Sequence, residues 1–76
     1  MSVSPGIYHH FKHTDVLYRV LGIATHTETD ESLVVYQALN GPNEDRIFAR
    51  PEAMFLEEVD KPEHGYKGPR FIFVRH

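Results

Sequence analysis

A polar turn runs directly into the most strand-like segment of the chain, between His26 and Leu39. The turn, residues 27–32, is rich in hydroxyl and acidic side chains, whereas residues 33–39 favour a β-strand. The preceding segment, residues 16–26, contains several β-branched residues and can pair with residues 33–39 as an antiparallel hairpin. We therefore expect a small sheet to assemble around this hairpin.

The segment at residues 16–26 has apolar side chains on both of its faces. One face is expected to carry Tyr18, Val20, Gly22, Ala24 and His26. The other is expected to carry Arg19, Leu21, Ile23 and Thr25. A glycine inside a strand often marks a bulge or bend, so Gly22 predicts one here. Leu21 and Ile23 are expected to be exposed, which would favour a protein partner or self-association.

The remaining elements are short. In chain order we predict a flexible tail with nothing to bury at 1–5, a strand at 6–12, a turn at 13–15, a strand at 46–49, an extended segment at 56–59, a polar loop at 60–69 and a strand at 70–75. Pro51 suits the first position of a helix because its missing N–H would have had no partner there. Residues 51–55 are therefore predicted to form a helical turn that places Met54 and Phe55 in the core.

These elements place the chain in the mainly β class. About five short antiparallel strands, with one short helical turn before the last strand, fit a small SH3-like five-stranded barrel over residues 6–76. An open, strongly twisted sheet with the helical turn packed on it is the alternative. The hydrophobic content of 41% is enough for one compact core in 76 residues.

Composition excludes several classes of protein. There is no cysteine, so disulfides, thiolate metal sites and cysteine nucleophiles are excluded. A formal net charge of −3 excludes a strongly basic nucleic-acid binder. No apolar run approaches the ~20 residues of a membrane span, and residues 1–5 lack the features of a secretory signal. We therefore expect a cytoplasmic protein with no membrane contact and no cofactor.

The turn after residue 25 contains the most suggestive polar cluster. The imidazole of His26 with Glu28 and Glu31 could hold a divalent metal that activates water, as in a small metal-assisted hydrolase. Alternatively the segment is a structural turn in which Thr27 and Thr29 bond backbone amides. The spacing differs from helical zinc motifs, whose two histidines lie four residues apart. We therefore predict no metal ligands and treat these five residues as candidate ligand contacts.

Arg50 and Arg70 are the other candidates for ligand contact. Each lies beside a proline and aromatic residues, where a planar guanidinium can stack on a ring and hold a carboxylate or phosphate. The alternative is a structural salt bridge to one of three glutamates: Glu28, Glu52 or Glu57. Four aromatic residues could offer stacking surface for nucleic-acid bases or could fill the core: Tyr8, Tyr36, Phe48 and Phe73.

Several segments, taken in order, resemble one known family. They are His-Phe-Lys at 10–12, Tyr-Arg-Val-Leu at 18–21, His-Thr-Glu-Thr at 26–29, Leu-Val-Val-Tyr at 33–36 with Leu39, Arg50-Pro51 with Met54-Phe55, and Pro-Arg-Phe at 69–71. Together they resemble the small bacterial family known as domain of unknown function 1653, from Tyr8 to Phe73. The sequence departs from that family by two additional residues before Tyr18, by Phe48 in place of tryptophan and by Asn40 in place of a frequent tyrosine. The resemblance implies a compact bacterial cytoplasmic domain and implies no reaction.

The residues themselves favour a non-catalytic binding or interaction module. Its surface is expected to combine the turn at residues 26–31 with Arg50 and Arg70. The ligand is expected to be a protein partner or a phosphate-bearing molecule such as nucleic acid. Weak binding that falls steeply as salt rises would favour nucleic acid. The alternative from another class is the metal-assisted hydrolase centred on the same turn.

Overall fold

The structure is a computed structural model that describes residues 3–76. It contains seven strands, one short α-helix and one 3₁₀ turn. In chain order they are β1 (Gly6–His10), β2 (His13–Thr25), β3 (Ser32–Ala38), β4 (Ile47–Pro51), α1 (Glu52–Phe55), β5 (Glu58–Lys61), the 3₁₀ turn (Pro62–His64), β6 (Tyr66–Pro69) and β7 (Phe71–Arg75). The chain is therefore mainly β, as predicted. No helix within the described residues is long and apolar enough to cross a membrane.

Five strands form one antiparallel sheet in the order β4-β3-β2-β1-β7, and β5 and β6 form a separate two-stranded sheet. Within residues 3–76 the edge strands β4 and β7 do not pair with each other. The predicted barrel closure is therefore wrong, and the alternative of an open sheet with a helical turn packed on it describes the strand order. The chain leaves β4 through Pro51 into α1, which packs against β3 and β4.

Two turn boundaries differ from the prediction. His10 pairs directly with His13, so the first turn consists of Phe11 and Lys12, and β2 begins at His13. The predicted polar loop at residues 60–69 contains most of a second hairpin. Gly65 allows that hairpin, because its φ of 61° lies in the left-handed region where the chain can reverse at no steric cost.

The predicted bulge at Gly22 is confirmed. Val20 pairs with Tyr36 and Gly22 pairs with the next residue, Val35, so Leu21 is the extra residue in β2. Beyond the bulge, each β2 side chain lies on the face of the sheet opposite to the one that simple alternation predicts. Ala24, for example, pairs with Leu33, which lies on the opposite face of β3 from Tyr36. The predicted common face of residues 18–26 is therefore wrong beyond Val20.

The core lies on the face of the sheet that carries Tyr36, and α1 packs against β3 and β4. Its buried members are Val3, Tyr8, Val20, Val34, Tyr36, Phe55 and Phe71, with Tyr18 and Phe48 packed against them. Burial of Val3 contradicts the prediction that residues 1–5 have nothing to bury, while residues 1–2 lie outside the described part. Phe55 is buried as predicted, but Met54 is 46% exposed, because a single helical turn presents only one side to the core.

The exposed apolar side chains include Leu21 and Ile23, at 49% and 44%. Their predicted exposure is confirmed. Ile23 does not lie on the face opposite Val20 as predicted, because beyond the bulge it pairs with Val34, which lies on the same face of β3 as Tyr36. Phe73 is also exposed, at 43%, whereas Tyr8 and Tyr36 belong to the core.

Candidate functional site

The turn at residues 26–31 is held by bonds within itself. The amide of His26 donates to the carbonyl of Glu31, and the amide of Asp30 donates to the carbonyl of His26, both at 2.8 Å. The Glu28 amide donates to Nδ1 of His26 at 3.1 Å, and the Glu31 amide donates to Oγ1 of Thr29 at 3.2 Å. The side chains of His26 and Thr29 therefore stabilise the turn, and the exposed side chains of Glu28, Glu31 and Thr27 point to solvent.

This geometry does not support a metal centre in the turn. Within residues 3–76 no group of three or more histidine, cysteine, aspartate or glutamate side chains is placed to hold a metal ion. Nδ1 of His26 already accepts a hydrogen bond from the turn. The metal-assisted hydrolase suggested by the sequence therefore has no assembled ligand set in this segment.

Arg70 forms a structural salt bridge, which was the predicted alternative to ligand contact. Its Nη2 lies 2.7 Å from Oε1 of Glu57, and its amide donates to the Glu57 carbonyl at 3.1 Å. The Arg70 carbonyl in turn accepts a hydrogen bond from the amide of Phe11 at 3.0 Å. Arg70 therefore ties the segment after α1 to the first turn.

Arg50 is placed differently from Arg70. It lies on β4, where it pairs with Val34, and its guanidinium carbon is 5.3 Å from the centroid of the Phe71 ring. Its Nε donates a long hydrogen bond of 3.4 Å to the hydroxyl of Tyr36. Among residues 3–76 no carboxylate oxygen lies within 4.0 Å of the guanidinium. The positive charge of Arg50 is therefore held against aromatic rings without an acidic partner in the described structure.

An open pocket of about 340 Å³ surrounds this guanidinium, and we call it the Arg50 pocket. Its lining residues are His10, Lys12, His13, Tyr18, Tyr36, Asn43, Phe48, Arg50 and Phe71. None of these described lining residues is acidic, and six of them carry aromatic or imidazole rings. Of the seven predicted contact residues, only Arg50 lines it.

The pKa of His10 reports the electrostatics of the Arg50 pocket. Burial, and to a smaller extent the positive charges of His13, Arg50, Arg70 and Lys12, together lower this pKa from 6.5 to about 4. His10 is therefore a neutral imidazole near pH 7. The pocket is a positively charged region of a chain whose net charge is −3.

Tyr18 supplies a neutral hydroxyl to the same pocket. Burial raises the pKa of its phenol above the ordinary value of 10.0, and the neighbouring Tyr36 raises it further. The two rings meet edge to face, with centroids 5.6 Å apart. Tyr18 therefore remains an O–H donor throughout the neutral range.

A second open pocket of about 420 Å³ adjoins the first, and we call it the Phe11 pocket. Its lining residues are Phe11, Lys12, His13, His64, Gly65 and Tyr66. The rings of Phe11 and Tyr66 stack with centroids 5.0 Å apart and 13° between their planes. Lys12 and His13 line both pockets, so the first turn separates them.

Sequence reasoning missed both pockets, although part of the signal was present. The sequence suggests Tyr36 and Phe48 as stacking surface, and both line the Arg50 pocket. The rings of His10, Tyr18 and Phe71 come from three other strands, and only the strand order brings them together. The Phe11 pocket depends on the β5–β6 hairpin, whose residues were predicted to be a loop.

Comparison with known proteins agrees with this fold. The sequence profile described as "Protein of unknown function (DUF1653)" matches residues 6–73. A crystal structure of a protein belonging to DUF1653 from Bordetella bronchiseptica superimposes with a TM-score of 0.83. It is 35% identical in sequence, and the match covers 99% of this chain and 91% of that chain. No curated protein matches the chain. The chain therefore belongs to the DUF1653 family, as the resemblance of its short segments predicted.

Proposed function

We propose that the domain is a non-catalytic binding module whose Arg50 pocket takes a phosphate-bearing ligand with a planar ring, such as a nucleotide unit of nucleic acid. The observation that carries this proposal is the Arg50 guanidinium, held among aromatic rings with no acidic partner among the described residues. An anion that replaces water at this guanidinium would form charge-assisted hydrogen bonds, which are stronger than those to neutral acceptors.

The anionic part of the ligand is assigned from the polar groups of the pocket. Arg50 contributes a planar guanidinium whose terminal nitrogens are suited to two-point contact with phosphate oxygens. Lys12 adds a second full positive charge at the rim, and Asn43 adds an amide. A phosphate near Arg50 and Lys12 would replace the repulsion between like charges with attraction.

The planar part of the ligand is assigned from the rings. Phe48 stacks on Tyr36 with centroids 5.5 Å apart and 28° between planes, and Phe48 is only partly buried. Tyr18 and His10 supply further ring surface and hydrogen-bonding groups without charge. Aromatic side chains of this kind stack with unpaired bases in many nucleic-acid-binding domains. A volume of about 340 Å³ is at the lower end for small-ligand pockets, which suits one nucleotide unit.

The binding test is a titration of ¹⁵N-labelled protein with uridine 5′-phosphate, followed by amide NMR at low and then moderate salt. We expect shifts at Tyr36, Phe48 and Arg50 that weaken as salt rises, with smaller shifts for uridine and for inorganic phosphate alone. Absence of saturable shifts around Arg50 would contradict the proposal. Shifts confined to Leu21 and Ile23 at rising protein concentration would favour a protein partner or self-association instead.

Two charge-removing variants make the test specific. Arg50→Gln removes the guanidinium and is expected to weaken binding by about 1.5–3 kcal/mol, roughly ten- to hundredfold, as for a lost charge-assisted hydrogen bond. Arg19→Gln is the matched control, because Arg19 is exposed on β2 between Tyr18 and Val20 and so faces away from the pocket. Equal weakening in both variants would mean that net charge, and not the pocket, determines binding.

A further inference from the structure

The Arg50 pocket and the Phe11 pocket adjoin at the first turn. We infer that together they bind two consecutive nucleotides of a single strand, with one base in each pocket and the connecting phosphate beside Lys12. This inference rests on the proposed function of the Arg50 pocket and extends it to a second site. It identifies the ligand as a single-stranded nucleic acid and not as a free mononucleotide.

The first observation is the continuity of the two pockets. Lys12 and His13 line both, and direct pairing of His10 with His13 fixes the turn between them. His10 lines the Arg50 pocket, and its ring stacks on the ring of Phe11 with centroids 4.7 Å apart. The Phe11 ring continues to Tyr66 in the second pocket. The aromatic surface is therefore unbroken from one pocket to the other.

The second observation is that Tyr66 is held in place as a platform. Its hydroxyl donates to the carbonyl of Pro69 at 2.6 Å. A Cβ atom at Gly68 would lie 3.0 Å from that hydroxyl, so glycine gives the phenol room to lie there. The edge of Phe11 also meets the exposed ring of His64, at a centroid distance of 6.3 Å. These groups form a ring-lined recess before any ligand enters.

The third observation is the charge between the two recesses. Lys12 is exposed, and its Nζ lies 5.9 Å from the centroid of the Phe11 ring. None of the residues described as lining the Phe11 pocket is acidic. A cation between two ring-lined pockets matches the alternation of base and phosphate in a single strand. Paired bases in a duplex would not enter, because both pockets require an unstacked ring.

The experiment compares three ligands by calorimetry or NMR titration of the full chain. They are uridine 5′-phosphate, uridine 5′-diphosphate and the dinucleotide pUpU. The diphosphate carries a charge similar to that of pUpU but only one base. Comparison of the two ligands therefore distinguishes the effect of the second base on affinity from the effect of added charge. We expect pUpU to bind roughly fivefold to more than a hundredfold more tightly than the diphosphate, the range expected for one stacked base.

Two variants test whether the second base of pUpU binds in the Phe11 pocket. Tyr66→Leu should reduce the preference for pUpU over the diphosphate. His64→Ala should reduce it as well, and this change disturbs the fold less because His64 is exposed. Phe73→Leu is the control, because Phe73 is a 43% exposed aromatic residue that lines neither pocket. It should leave the preference unchanged.

The outcomes distinguish this inference from the proposed function. If the mononucleotides bind in an Arg50-dependent way but pUpU binds no more tightly, the two-nucleotide site is overturned and the Arg50 pocket stands. The same conclusion follows if both Tyr66→Leu and His64→Ala retain the full preference for pUpU. If none of the three ligands binds, the proposed function itself fails.

Discussion

The rings of Phe55 and Phe71 lie parallel, with centroids 4.3 Å apart and 3° between their planes. Phe55 ends α1 and is 2% exposed, whereas Phe71 begins β7 and also lines the Arg50 pocket. The guanidinium of Arg50 approaches the same Phe71 ring. One ring is therefore shared between the core and the candidate site, and the helical turn supports a wall of the pocket.

The first prediction concerns the helical turn. Phe55→Ala should lower the free energy of unfolding by about 3–5 kcal/mol, because it leaves a cavity against Phe71 in the centre of the core. That loss is comparable to the total stability expected of so small a domain. Met54→Ala, one residue away, should change stability by less than about 0.5 kcal/mol because Met54 is 46% exposed.

Urea unfolding followed by circular dichroism measures both variants, and Phe55→Leu replaces Phe55→Ala if the alanine variant does not fold. Equal losses for Met54→Ala and for the Phe55 variant would show that the turn is not anchored by the Phe55 ring.

Local sequence signals predicted much of the fold. Pro51 predicted the helical turn, Gly22 predicted the bulge, and alternation in residues 33–39 predicted β3. These features depend on the conformations of neighbouring residues. Barrel closure depends on whether β4 meets β7, which are far apart in sequence, and no local pattern determines that pairing.

The candidate site was less predictable for the same reason. Arg50 was identified because it stands beside Pro51 and aromatic residues, but its neighbours Tyr36 and Phe71 lie on other strands. The sequence of the polar turn at residues 26–31 suggests a site because its side chains are of types that bind ligands and metals. In the structure, the side chains of His26 and Thr29 instead accept hydrogen bonds from backbone amides of the same turn.

The second prediction concerns two glycines in the sheet. Gly6 has a φ of 145°, and a Cβ there would lie 2.7 Å from both the Arg75 carbonyl oxygen and Cε1 of Phe73. Gly6→Ala should therefore destabilise the domain by about 1–3 kcal/mol through backbone strain and a clash with the neighbouring strand. Gly22→Ala is the control, because a Cβ at Gly22 meets no atom within 4 Å.

Gly22→Ala should change stability by no more than about 1 kcal/mol, since alanine also restricts the unfolded chain. Thermal unfolding of the two variants side by side measures the difference. A Gly6→Ala variant as stable as the parent chain would show that β1 and β7 can separate locally without cost.

The third prediction concerns the ion pair between Arg70 and Glu57. Both partners are solvent-accessible, with 23% and 51% of their side chains exposed, so water screens their attraction. A double-mutant cycle with Arg70→Gln and Glu57→Gln should give a coupling energy of about 0.2–1 kcal/mol. A coupling well above this range would show that the pair fixes the corner energetically as well as geometrically.

The last prediction concerns His10 and pH. Its pKa is lowered from 6.5 to about 4, chiefly by burial and then by the neighbouring positive charges. As pH falls below 6.5 the unfolded chain takes up a proton at His10 while the folded chain does not, so the unfolded state gains stability. The contribution of His10 to stability is therefore complete above pH 6.5 and is lost progressively as pH falls toward about 4.

Urea unfolding between pH 6.5 and about pH 5, above the range in which most carboxylates titrate, measures this loss. His10→Gln should flatten the dependence on pH, whereas the exposed His64→Gln should not. If His10→Gln retains the slope of the parent chain, protonation of another group must cause it.

Uridine 5′-phosphate should in addition raise the pKa of His10, because an anion in the Arg50 pocket stabilises the imidazolium. An NMR titration of the His10 ring with and without the ligand therefore tests the occupancy of the pocket directly.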